Sequence, residues 1–216
     1  MAKKKSNVRV KKVNILIVIL AIIFIVLAIV IAVLAKDIFK KEKKVAEPAV
    51  VDKIGSYEYY ITDRSTSYFK ELYEKLKSEL QKDEVDEKTY ASLVGQLFAA
   101  DFYDLDSKAS KSDVGGVQFI YDKFQETFIK TASDSKGMYY YVKSDLYGDR
   151  KQDLPKVKNV EVTSVKNTTF TNKKYKDDKA YEVKLKVEYA SDMGYPTNVT
   201  VIMAHNGKKL EIVQVK

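Results

Sequence analysis

The chain reads as an α+β protein with a membrane-length apolar segment ahead of its folded part. Three observations predict this. Residues 15–35, from Ile15 to Ala35, contain no charge, no polar side chain, no Gly and no Pro. Between residues 67 and 147 apolar side chains recur every three or four positions, the period of a buried helix face. Beyond Pro155 they alternate instead, the period of a strand, and Asn206-Gly207 separates the last two alternating runs as a hairpin turn would. Helices first and an antiparallel meander second is an α+β order.

Residues 1–14 hold six Lys or Arg and no acid. A short basic tail resists translocation and is expected to stay in the cytoplasm. The 21 residues that follow rise about 1.5 Å each as a helix, which covers the hydrocarbon core of a bilayer. A cleaved secretory signal, cut after Val33 and Ala35, is the rival, but its apolar core would be only about 7–15 residues long. An uncleaved anchor is therefore expected. Ala21, Ala28, Ala32 and Ala35 share one helix face, where a second copy of the span could approach closely.

Charge is unevenly placed. Residues 1–55 hold 12 Lys+Arg and 4 Asp+Glu, which accounts for the whole net charge of +8, and the remaining 161 residues hold 26 of each. A nucleic-acid reader carries its basic surplus on the folded domain, so nucleic acid is excluded as a partner and membrane lipid is expected. The lysines of residues 36–44 can snorkel to headgroups, and Pro48 ends any continuous helix, leaving residues 45–55 as a connector. The domain boundaries read as 1–14 tail, 15–35 span, 36–55 linker and 56–216 extracytoplasmic domain. There is no Cys, hence no disulfide and no thiol chemistry.

Within the domain, residues 56–62 alternate as a short extended segment. Asp63, Ser65 and Ser67 are candidate caps for a helix that buries Phe69, Leu72, Tyr73, Leu76 and Leu80. Asp86 caps a second helix, with Tyr90, Leu93, Val94, Leu97, Phe98 and Phe102 on its buried stripe. Leu97, Phe98 and Phe102 are expected to pack on the strand face Tyr181, Val183, Leu185, Val187 and Tyr189. Residues 107–116 read as a loop, 117–129 as a third helix on Ile120, Phe124 and Phe128, and 138–147 as a further helical stretch ending at Gly148. Strands are expected from Val160, over 179–189, 198–205 and 208–215.

Candidate chemistry is sparse. His205, the single histidine, sits beside the expected hairpin turn and reads as exposed. Asp101, Asp104 and Asp106, near Asp113, lack the spacing and Gly of a calcium loop. No catalytic group, cofactor site or metal site is expected. The run Tyr139, Tyr140, Tyr141 is a candidate interface, since on a helix at least one of the three faces water.

The order of elements behind one anchor resembles the NTF2-like fold, in which helices pack into a curved antiparallel sheet. The stretches FAADFYDLDSKASKSDVGGVQF and LYGDRKQDLP resemble a family of single-pass membrane proteins of low-GC Gram-positive bacteria. Anchored NTF2-like domains also serve as assembly subunits of conjugation and type IV secretion machines. The resemblance implies a cell-envelope binding or assembly module without catalytic activity, partnered by envelope proteins or by itself. The alternative is an envelope enzyme or small-ligand binder that uses a cavity between helices and sheet.

Overall fold

A computed structural model describes residues 30, 48–145, 148–172 and 175–216. The chain divides into two units, Met1–Lys44 and Val45–Lys216, and apart from Val30 every described residue belongs to the second. The tail, the span from Ile15 to Ala35 and the first part of the linker lie, Val30 excepted, outside the described residues. Among the described residues no helix is long and apolar enough to cross a membrane.

The second unit is a mixed α/β domain with antiparallel sheets. A two-stranded ribbon pairs β1 (Val50–Ile54) with β2 (Tyr59–Thr62). Then come α1 (Ser67–Leu80), α2 (Glu87–Phe102) and α3 (Asp122–Ser133). A four-stranded antiparallel meander, β3 (Val157–Asn172), β4 (Tyr175–Tyr189), β5 (Asn198–Asn206) and β6 (Lys209–Val215), closes the chain in sequence order and does not form a barrel.

The first two helical segments and the alternating run of β4 form the expected elements. All five apolar positions of α1 and all six of α2 are buried. Asp86 accepts from Thr89 N–H at 2.7 Å, the expected cap. At α1 the cap is Thr66 instead of Asp63, Ser65 or Ser67, and its hydroxyl accepts from Phe69 N–H at 3.2 Å. On β4, Tyr181, Val183, Leu185 and Val187 are buried, and the intervening charges lie on the other face.

Four expectations need correction. Residues 50–54 are not connector but strand β1, tied to α1 by Lys77 Nζ–Asp52 Oδ2 at 2.5 Å. The third helix starts at Asp122 rather than at 117, because Ile120 bridges Ile212 of β6 and Tyr121 N–H donates to Ile212 O at 3.0 Å. Residues 138–141 form turns, not a helix. Gly137 lies so close to the carbonyls of Thr131 and Ala132 that a Cβ would sit 2.3 and 2.2 Å from their oxygens, and Tyr139 N–H ends α3 by donating to Ala132 O at 2.9 Å. The last hairpin pairs Asn206 with Lys209, so the two loop residues are Gly207, at φ 63°, and Lys208, one position later than Asn-Gly would place them.

Tyrosine and glutamine side chains satisfy sheet edges. Tyr90 Oη accepts from Leu210 N–H at 2.8 Å, and Tyr59 Oη, 2.8 Å from Tyr90 Oη, donates to Leu210 O at 2.6 Å. Tyr68 Oη accepts from Val160 N–H at 2.8 Å, while Gln96 Nε2 donates to Val160 O at 2.7 Å. The side-chain amide of Gln118 does both for Tyr60, accepting at 2.9 Å and donating at 3.1 Å. An edge that would otherwise invite a foreign strand is thereby closed at each of these positions.

Candidate functional site

Helix α2 presents different chemistry on its different faces. The face turned to the sheet carries Gly95, where a Cβ would lie 3.1, 3.3 and 3.4 Å from Met203, Val183 and Leu185. Glycine there lets helix and sheet approach closely. Phe98 and Phe102 were expected against β4. They stack on each other at 5.4 Å between ring centres, and Phe128 of α3 lies 6.0 and 5.0 Å from them. Tyr103 and Tyr139 flank Phe102 at 5.0 and 5.4 Å. α2, α3 and the 138–141 turn thus meet through a cluster of aromatic side chains.

A cleft of about 390 Å³ opens elsewhere, between the β1–β2 ribbon, the start of α1, the end of α2 and the loop before the 117–119 turn. Its floor holds an ion pair between Asp101 Oδ1 and Lys108 Nζ, the lysine side chain 9% exposed. The second oxygen of Asp101 accepts from Gly116 N–H at 2.7 Å. Both glycines of the loop are required. Gly116 has φ 75°, and a Cβ on Gly115 would fall 2.3 Å from Asp101 O. At the mouth, Arg64 Nη1 lies 3.5 Å from Asp113 Oδ2, which also accepts from Ala109 N–H at 2.8 Å. Val50, Phe69, Val114 and Val117 supply apolar wall, and Tyr60, Ser65, Thr66 and Gln118 supply polar groups. Burial, then the charge of Asp101, pushes the Tyr60 phenol above its ordinary value.

The expected aspartates separate. Asp101 belongs to the cleft. Asp104 is buried and accepts from Ser107 N–H at 3.2 Å, with burial raising its carboxyl above the usual range, and Asp106 is exposed. No group of three or more metal-ligating side chains occurs among the described residues. The tyrosine run also divides. Tyr139 is fully buried, donating to Phe102 O at 2.7 Å and accepting from Gly115 N–H at 3.0 Å, so it is core and not interface. Tyr140 and Tyr141 are 41% and 72% exposed.

His205 is not the exposed hairpin residue it was expected to be. Its Nδ1 lies 2.8 Å from Asp177 Oδ2, which also accepts the His205 backbone N–H at 2.7 Å, and its Nε2 lies 3.5 Å from Glu87 Oε2. A carboxylate that orients an imidazole is one half of a general-base arrangement. Here the second ring nitrogen faces another carboxylate instead of a nucleophile, and the cleft is lined by other residues.

Sequence reasoning missed the cleft. Asp101 interrupts the wide apolar end of α2, and the Gly115-Gly116 pair marks a tight approach. Nothing local announces that Arg64, 49 positions away, meets Asp113. Comparison with known proteins found no matching protein-family model, no matching curated protein and no matching solved structure.

Proposed function

We propose that the chain is a membrane-anchored, extracytoplasmic binding module without catalytic activity. In this reading residues 15–35 anchor it, residues 1–14 stay in the cytoplasm, and the domain acts outside, on envelope proteins or on further copies of itself. The fold is read as NTF2-like. Three helices with a four-stranded antiparallel meander, whose β3–β4 pairing is irregular at three places as in sheets curved by bulges, support that reading.

One observation carries the choice of a binding module over an enzyme. The Phe and Tyr rings of α2, α3 and the 138–141 turn pack on one another, whereas the open cleft holds its four charged groups as two ion pairs. Paired charges recognise polar partners, and in both pairs the carboxylate faces a cation and not a nucleophile. The balance of 26 basic and 26 acidic residues after residue 55 also speaks against a nucleic-acid partner.

Protease added to intact protoplasts and, on separate untreated cells, cross-linking and capture of the full chain test the reading. Removal of the domain from intact cells and recovery of specific envelope partners, lost when the cleft is altered, is the expected result. A domain protected until lysis would make the protein a membrane-tethered cytosolic adaptor instead.

A further inference from the structure

We infer that the cleft binds an apolar α-amino acid as its zwitterion. This rests on the reading of the cleft as a binding site and adds the ligand class.

The mouth offers one cation and one anion side by side. Among the described residues, the 3.5 Å contact with Asp113 is the one polar interaction Arg64 makes, so most of its five donors are unused. Asp113 engages both of its neighbours through Oδ2, which leaves Oδ1 free. Both side chains are about a third exposed, and the contact is long for a charge-assisted hydrogen bond. This pair is therefore open to a ligand, unlike the tight Asp101–Lys108 pair on the floor.

An α-amino acid carries its ammonium and carboxylate on one carbon, so its two charges also lie side by side. Set against the mouth, the carboxylate faces Arg64 and the ammonium faces Asp113, and all four charges are compensated. A ligand with one net charge would satisfy one residue and leave the other facing an unpaired charge as water is displaced. With Arg64, Lys108, Asp101 and Asp113 the cleft is electrically balanced, which also favours a ligand of zero net charge.

The ligand side chain then meets Val50, Phe69, Val114 and Val117. A cleft of about 390 Å³ lies at the small end of ligand sites, the size of an amino acid and not of a cofactor.

The test is isothermal titration calorimetry of the full chain in detergent micelles with L-leucine. Three further probes each lack one feature: glycine the apolar side chain, 4-methylpentanoate the ammonium, and 3-methylbutylamine the carboxylate. Leucine is expected to saturate one site, with each of the others weaker by about tenfold or more. Arg64→Gln and Asp113→Asn are each expected to weaken leucine by a similar factor with the melting point checked in parallel. If Asp113→Asn unfolds the loop, Arg64→Gln alone decides. Absence of saturation up to about 10 mM leucine, equal binding of either single-charge analogue, or unchanged binding by Arg64→Gln would overturn the inference. Specific capture of an envelope partner without leucine binding would leave the binding-module reading standing and remove only this one.

Discussion

The aromatic interior and the charged cleft lie on either side of the same helix end, and they are built by opposite rules. Phe98 and Phe102 of α2 pack in a cluster of rings with Phe128 and Tyr139. Ala100 and Asp101 of the same turn border a cleft held by ion pairs and backbone amides. Burial makes the first region costly to alter and chemically silent. The second keeps water access and unused hydrogen-bonding capacity, which is why the proposed recognition is placed there. Tyr139 joins them: its ring packs in the interior and its hydroxyl holds Gly115 of the cleft loop.

The comparison breaks most sharply at Phe98. Phe98→Ala leaves a cavity in the stacked cluster and is expected to cost about 3–5 kcal/mol, seen as a fall in the denaturation midpoint at constant m-value. An unchanged midpoint would mean the ring cluster is not the core. Asp101→Ala comes next. It strands a nearly buried lysine and frees Gly116 N–H, at about 3 kcal/mol, the low end for buried pairs because Asp101 keeps about a quarter of its side chain in water. Tyr139→Phe removes the hydroxyl and leaves Gly115 N–H and Phe102 O without their partner, so a loss of about 1–3 kcal/mol is expected. Faster hydrogen exchange at Gly115, with the sheets unaltered, would sharpen the link between the two regions.

A pH titration separates a third, sheet-based network from both. Burial raises the Asp177 carboxyl, but the amides of His205 and Lys179 and the His205 ring more than offset it, and the group sits below the usual carboxylate range. A depressed carboxyl contributes stability above its unfolded value, about 3.9, and loses it as pH falls through the lower folded value. The melting point is therefore expected to fall below about pH 4, with a shallower acid slope in Asp177→Asn. At the small end, Arg64→Gln is expected to change stability by less than about 0.5 kcal/mol, since the exposed pair it breaks contributes little. Its effect should appear in binding alone.

What was legible in the sequence follows from the range of the forces involved. The apolar stripes of α1 and α2 and the alternation of β4 are local, and they identify buried faces without knowledge of the neighbours. The direction in which a buried residue packs is not local. Phe98 was correctly placed in the core, but the close approach of α2 to β4 at Gly95 was not foreseen, because it depends on a missing side chain and not on an apolar one. The Tyr139 stretch had helical spacing, yet Gly137 folded back on the carbonyls of Thr131 and Ala132 and turned the ring inward. The cleft assembles Arg64, Asp101, and Lys108 with Asp113 from three segments, and no short-range pattern encodes the meeting of Arg64 with the other two.

Amide chemical-shift mapping of the full chain with L-leucine tests most directly whether recognition lies in the cleft and not in the interior. The expected shifts gather on Arg64, Ser65, Thr66, Asp113 and Val114 and leave Gly95, Phe98 and Met203 unmoved. Shifts centred on those three interior residues, or none at saturating leucine, would contradict the division of labour drawn between the two regions.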